Sequence, residues 1–392
     1  LTLNGGSMPS ILERLSGVNN PWALWLFWSG LAVLFYAYVG YPLVLALLSA
    51  LLGKRVQKGG AQPAVAIVIA VFNGQEFVAA KLENLLAQEY GGRINIYLAA
   101  DGCTDATVQE AEAFENVRVI PYPVRAGKAA TLNKIMKELT EEIVILTDIR
   151  QQFAPDAVAA LVANFEDPSI GAVSGEYYML AEENTQMKGV DLYWRIEKFL
   201  RRHEAKLYST VGATGAIYAI RRTCYRDIPG DALIDDVTIP LQINARGLRT
   251  VFEPAAIATD SFSVWEREQA RKVRTMAGNF QMVLKPWKYG NPYQWRLLFQ
   301  FLSHKFLRLW IPLVLLSVVT ANAMLLDEYP FYFYFGILQG ACYVLGITGM
   351  ILGKRARKWK IIAIPGTFLM LNISVVAGFW YYLRKKGSRG WD

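Results

Sequence analysis

Ala64-Val65-Ala66-Ile67-Val68-Ile69-Ala70-Val71 runs without a break into Phe72-Asn73-Gly74. Two later stretches repeat the pattern: Ile94–Ala100 leads into Asp101-Gly102-Cys103-Thr104-Asp105, and Ile143–Thr147 into Asp148-Ile149-Arg150. Each run is short, apolar and rich in β-branched residues, as a strand covered on both faces requires. Between them, Gln75–Gln88 and Ala129–Leu139 carry apolar residues at helical spacing. Strands alternating with helices predict a mostly parallel α/β sheet with helices on both faces. Ligands of such sheets sit beyond the carboxyl ends of the strands, which is where Asp101 and Asp148 stand.

A carboxylate after each of two neighbouring strands, with a glycine beside one, suits a nucleotide held through its base, ribose and metal-bound diphosphate. Turn-making and helix capping is the alternative, and for Asp105, ahead of Ala106-Thr107, it is the better reading. Further on come Gly212-Ala213-Thr214-Gly215-Ala216, read as a small-residue strand that an acceptor can approach closely. Asp235-Asp236 opens a predicted helix, as caps favoured by the helix dipole or with one of them a general base. Arg271 and Arg274 are spaced for one side of a helix, which fits either a solvated face or a clamp on a diphosphate.

The ends of the chain are of another kind. Over half of the 392 residues are hydrophobic, and four stretches approach or exceed the roughly 20 apolar residues that cross a bilayer: Trp22–Leu52, Leu309–Leu326, Phe331–Leu352 and Ile361–Leu383. Leu1–Ser7, ahead of Met8, read as a tag scar within an N-terminal segment 1–21. The expected organisation is then a transmembrane helix 22–52, an α/β domain 53–288, an interfacial helix 289–308 and C-terminal transmembrane helices 309–392. Asp191–Leu207, with Trp194, Phe199 and several basic residues, is expected to be a second interfacial helix. Lys54, Arg55 and Lys58 follow the first span, so the positive-inside rule puts the α/β domain in the cytoplasm, beneath a plasma (inner) membrane crossed several times. Asp327 and Glu328 then fall outside, and Lys354, Arg355, Arg357, Lys358 and Lys360 inside. Arg384, Lys385 and Lys386 run against this count, since a fourth crossing leaves them outside. The net charge of +8 is set beside apolar runs, which points to a membrane surface or a nucleotide diphosphate rather than nucleic acid. Three scattered cysteines and two histidines exclude a zinc site and a disulfide framework. Neither His203 nor His304, both in the presumed interfacial helices, is a catalytic candidate.

The order of these motifs resembles the membrane-embedded family-two glycosyltransferases of GT-A fold, among them cellulose, hyaluronan and poly-N-acetylglucosamine synthases. The resemblance runs from Trp22 onward and includes Gly127-Lys128-Ala129-Ala130-Thr131-Leu132-Asn133. It implies a GT-A domain with a Rossmann-like mixed sheet, fused to transmembrane and interfacial helices and using a UDP-sugar donor. Phe72 and Asp101 are implied at the uracil end and Lys128 at a polar edge of the nucleotide. Asp148, with Mg²⁺ or Mn²⁺, is implied at the diphosphate beside Arg150, Arg271 and Arg274. Asp236 is implied as the base of an inverting transfer, with Gly212, Thr214, Gly215 and Asp235 on the acceptor side. Three positions depart from the family pattern. Asp148-Ile149-Arg150 replaces Asp-x-Asp, so one metal ligand is missing. Gly74 replaces a glutamate. Thr275 replaces the tryptophan on which an acceptor sugar stacks. The expected function is extension of a polysaccharide at a lipid bilayer; the alternatives are transfer of one sugar to a membrane lipid and a non-catalytic nucleotide-binding scaffold. Control by a signalling nucleotide would need a partner subunit.

Overall fold

The computed structural model describes residues 20–180, 188–261, 265–290, 294–353, 355 and 359–384. The expected tag scar, Lys354, Arg357, Lys358, Lys385 and Lys386 lie outside them. Eight strands form one sheet: β1 Val65–Val71, β2 Ile94–Asp101, β3 Val117–Tyr122, β4 Ile143–Thr147, β5 Gln152–Phe153, β6 Ile170–Leu180, β7 Tyr218–Arg221 and β8 Arg249–Ser261, in the order β3-β2-β1-β4-β7-β6-β8-β5. The first four are parallel, with Val65 of β1 opposite Ile94 of β2 and Ile143 of β4. β7 then pairs antiparallel with both β4 and β6. The sheet is therefore mixed, as the family resemblance implies and the strand–helix alternation alone does not.

β1 shows why its sequence is apolar throughout. Ala66, Val68 and Ala70 pack on one face with Leu132 and Ile135 of a helix at Lys128–Ile135. Val65, Ile67, Ile69 and Val71 pack on the other with Val78, Leu82 and Leu85 of a helix at Gln75–Leu86. Side chains of a strand alternate between faces, so both alternations must be apolar. Each buried aliphatic side chain of this size contributes about 1.5–3 kcal/mol. The longer helices of the domain are α2 (Gln75–Leu86), α3 (Thr107–Glu112), α4 (Lys128–Ile135), α5 (Ala157–Val162), α6 (Lys188–Leu207), α7 (Asp235–Asn244) and α8 (Trp265–Leu284), and a single turn at Pro286–Tyr289 comes after them. All of them follow α1 (Pro21–Leu52).

Among the described residues, four helices are long and apolar enough to cross a membrane: α1, α9 (Trp295–Met324), α10 (Pro330–Leu352) and α11 (Lys360–Arg384). Many of their large apolar side chains face outward, among them Trp25, Leu47, Leu316, Ile351 and Ile361, as a lipid-facing surface requires. Residues 295–308, expected as interfacial, and 309–324, expected as part of a span, lie in one continuous helix, α9. Each of α1 and α9 contains a π-helical stretch, Tyr36–Gly40 and Phe301–Phe306, and the two touch through Tyr36 Oη and Ser303 Oγ at 2.8 Å. α10 and α11 meet where a side chain does not fit, since a Cβ on Gly366 would lie 3.0 Å from the Gly349 Cα. α11 also packs on α8, where the Phe379 and Phe280 rings are 5.2 Å apart.

Replacing Gly366 by Val should push α10 and α11 apart at a contact made by backbone, which cannot yield as a flexible side chain does. We expect a loss of about 1–3 kcal/mol, read as a lowered thermal midpoint of the purified protein, with no change for Gly340→Ala, whose Cβ meets open space.

Candidate active site

β2 ends at Asp101, and Gly102 turns the chain with φ +67°, where a Cβ would lie 2.4 Å from the Arg125 backbone nitrogen. That close approach brings the segment 125–127 against the strand end. Asp101 then accepts the Ala126 N–H on Oδ1 and the Gly127 N–H on Oδ2, both at 2.7 Å. The carboxylate, fully buried, pins the turn that launches α4. Phe72, after β1, carries the Arg125 guanidinium 3.9 Å above its ring centroid. Asp105 accepts the Gln75 and Thr107 N–H groups, the capping expected of it.

α4 opens with Lys128, and its side chain reaches across to the end of β4 and the head of α7. Nζ lies 2.7 Å from Asp148 Oδ1 and 3.2 Å from Asp235 Oδ1. Burial opposes the charge on Lys128, but Asp148 and then Asp235 outweigh it and lift its pKa above the ordinary lysine value. Asp148 is the converse: burial would raise it, yet Lys128, then Arg274 and Arg150, hold it below the usual carboxylate value. Its side chain is still 41% exposed, enough to meet a ligand. Asp235 also accepts the Tyr218 hydroxyl at 3.1 Å, which leaves it occupied on both oxygens.

Asp236, the next residue, is differently placed. The Gly215 N–H donates to its Oδ2 at 3.2 Å, and its own backbone carbonyl accepts the Ala213 N–H at 2.7 Å. Burial, then the charge of Asp235, push its carboxyl up to about 6, with Lys128 acting the other way. Residues 212–216 are not the expected strand. They form the turn before β7, because their amides are spent on α7 and on Ser174, whose Oγ accepts the Thr214 N–H at 2.9 Å. Gly212 lies against Val237 in the same turn.

Arg150 does not point at Asp148's partners but pairs with buried Asp260 of β8 at 3.1 Å. Arg271 places its guanidinium 5.9 Å from the Tyr177 ring centroid, and Arg274 acts on Asp148 through its charge. Two contributors escaped the sequence reading. Lys81 is fully buried under the loop after β4, its Nζ donating to Thr147 Oγ1 at 3.0 Å and to the Gln151 carbonyl. Burial lowers its pKa to about 7, with Asp148 opposing. Its signal was available: it falls on the apolar stripe Val78, Leu82, Leu85 of α2. Arg201 of α6, which donates to Thr214 Oγ1, was read only as part of a basic interfacial face.

The carboxylates of Asp148 and Asp235 supply the oxygen donors here. Among the described residues no group of three or more His, Cys, Asp or Glu side chains converges. Two carboxylate oxygens, from Asp148 and Asp235, already surround one cation, the Lys128 ammonium. Hard oxygen donors suit Mg²⁺ or Mn²⁺, and the half-exposed Asp148 carboxylate is of that chemical type.

Residues 66–228 match the model of glycosyl transferase family 2. The chain is 27% identical over 237 residues to an N-acetylglucosaminyltransferase of Rhizobium leguminosarum bv. viciae, covering 54% of this chain and 55% of that protein. It is 22% identical over 201 residues to the poly-beta-1,6-N-acetyl-D-glucosamine synthase of Staphylococcus aureus, covering 49% and 48%. It spans about half the length of these curated relatives. Among solved structures it resembles a mannosyltransferase from Pyrobaculum calidifontis in complex with GDP-Man and Mn²⁺, with a TM-score of 0.69 and 21% identity over 92% of this chain and 99% of that one. The fold is that of a GT-A glycosyltransferase.

Asp101→Asn keeps the shape of the pinning side chain but removes its charge and turns an N–H₂ toward one of the two amides. Losing a charge-assisted bond and leaving a buried donor unmatched should cost about 2–4 kcal/mol. Amide hydrogen exchange localised to residues 125–128 is the check, and unchanged protection there would count against the pinning role.

Proposed function

We propose, for a chain that carries a family-two glycosyltransferase domain, that it is an inverting enzyme moving N-acetylglucosamine from its UDP donor onto a growing polysaccharide. The observation that carries this is Asp236: a partly exposed carboxylate at the head of α7, with its pKa lifted toward neutrality and a Lys128–Asp148 pair beside it. A general base works best with a pKa near the operating pH. The names of the relatives support the choice of sugar. The basic residues after α1 support a catalytic domain on the cytoplasmic side of the plasma (inner) membrane, and the outward apolar faces support a bilayer around the four helices.

In this reading the acceptor hydroxyl gives its proton to Asp236 as its oxygen bonds to the anomeric carbon. The bond to the donor diphosphate breaks on the opposite face, so the configuration inverts, and the electron pair leaves with UDP. Lys128, Arg271 and Arg274 face the charge that builds on the leaving group; fixed donors of this kind are worth about 2.7–4 kcal/mol each in other enzymes. Mg²⁺ or Mn²⁺ held by Asp148 and the diphosphate would add Lewis-acid neutralisation of the same charge. Phe72 and its Arg125 partner supply a flat face for the uracil, and Asp101 acts through the turn it holds. Gly212, Thr214, Gly215 and Asp235 shape the acceptor side.

A second reading, one sugar added to a membrane lipid, is favoured by Thr275. Its hydroxyl bonds back to the Arg271 carbonyl at 2.9 Å, and that position offers no aromatic face to an entering sugar chain.

The test is nucleotide diphosphate release by the reconstituted full chain over a panel of UDP- and GDP-sugars with Mg²⁺ or Mn²⁺. Asp236→Asn should lower the rate by about two to four decades while UDP still binds. The parent rate should rise with pH through about 6 and then level, because the ionised carboxylate is the active form. An Asp236→Asn enzyme at parental speed would remove the base, and turnover of no donor would favour the scaffold. Sizing the labelled product separates a polymer from a single-sugar lipid.

A further inference from the structure

A line of buried charge, unused by the reaction above, joins this centre to the membrane-type helices. It starts at Arg201 of α6, which donates to Thr214 Oγ1 and whose charge reaches Asp236. Thr214 is fixed from its other side by Ser174, and the next amide, Gly215 N–H, is the one on Asp236. One turn back on α6, Glu197 Oε1 lies 3.6 Å from Arg201 Nε. The other oxygen of Glu197 takes His304 Nε2 at 3.2 Å and Arg308 Nη1 at 3.0 Å, both from α9. His304 Nδ1 faces Glu204 Oε1 at 2.7 Å, and the Tyr41 hydroxyl of α1 donates to the same oxygen at 2.7 Å.

Glu197, Glu204 and His304 are all buried. Each ring nitrogen of His304 meets a carboxylate oxygen, so the ring ties Glu197 to Glu204. Buried ion pairs add little net stability, yet removing one member leaves an uncompensated charge; their effect is to fix geometry. A cluster that served only to glue helices would end at α6. This one continues through Arg201 to the turn that holds Asp236.

We infer that Arg201 is a positioning residue for the base, held by Glu197 and His304, so that the turn around Asp236 is set only when α9 is docked on α6. The inference rests on the reading of Asp236 given above. Asp236 is faced by Asp235, Lys128, Asp148 and Arg201, and of these only Arg201 is anchored in the membrane-type helices.

The experiment compares Arg201→Gln, Arg201→Lys and His304→Gln in the reconstituted full chain. It reads UDP release from UDP-GlcNAc, or from whichever panel donor the parent turns over, with UDP affinity, thermal midpoint and the pH profile alongside. A misplacement of about 1 Å at a catalytic group costs on the order of 100-fold. Arg201→Gln should therefore lose about 10- to 100-fold in kcat at unchanged UDP affinity, with the acid limb moved to higher pH. The shift follows because a cation favouring the ionised Asp236 has gone. Arg201→Lys should recover part of the rate, and His304→Gln should repeat the kcat loss. Parental kcat and an unmoved acid limb in Arg201→Gln would overturn the inference, as would parallel loss of kcat, UDP affinity and thermal stability. If His304→Gln does not fold, Arg201→Gln, at the less buried end of the line, still decides. Asp236→Asn is run beside them: at parental speed it sinks the base assignment itself, whereas an inactive Asp236→Asn next to an unaffected Arg201→Gln sinks the inference alone.

Discussion

The ammonium of Lys128 between Asp148 and Asp235 holds three separate pieces of chain at one point. Asp148 comes from the end of β4, Asp235 from the head of α7 and Lys128 from the head of α4, and only the cation makes their approach tolerable. Two carboxylates brought together without it would repel, and one would take up a proton. The contact in turn depends on Asp101, because α4 starts where it does only while the Ala126 and Gly127 amides are held. A short ladder of dependence thus runs from a glycine with positive φ, through a buried carboxylate, to the charge balance beneath Asp236.

That balance explains why two adjacent aspartates differ. Asp235 is spoken for by Lys128 and the Tyr218 hydroxyl. Asp236 has one backbone amide, a partly exposed side chain and a negative neighbour. The contrast is set by which way two consecutive side chains point from the first turn of a helix, something the backbone fixes before any ligand arrives.

The sequence made the parallel half of the sheet legible because β1, β2 and β4 are covered on both faces, and double cover leaves an unmistakable apolar run. β6 and β8 were missed: Gly171-Ala172-Val173-Ser174-Gly175 and Glu253-Pro254-Ala255-Ala256 mix small, polar and proline residues, and pairing between distant segments rather than local pattern makes them strands. The small residues at 212–216 suggested a strand and form a turn, since their amides bond to α7 and to Ser174. Asp148, Lys128, Asp235 and Asp236 were found from motif order and do converge. Asp101 was found for its position, but whether it touches a ligand or supports a turn depends on where the amides of a segment 25 residues away fall. His304 was set aside as an interfacial residue, and no local pattern announces that its partners sit 100 and 107 positions earlier.

The paired π-helical stretches in α1 and α9 place a counting constraint on the membrane-type region. A π stretch carries one residue more than the α-helical turn it replaces, so every side chain beyond it is rotated by about 100° relative to an uninterrupted helix. In α1 the rotation lies just ahead of Tyr41; in α9 it contains His304 and precedes Arg308. Rewinding either stretch as regular α-helix with its residue count unchanged would turn Tyr41 in α1, or Arg308 in α9, away from its present partners, whereas removing one residue within the stretch would restore regular winding and leave them in place. The π stretches therefore set the phase of the side chains beyond them, and a one-residue deletion in either helix should disturb those side chains less inside its π stretch than outside it.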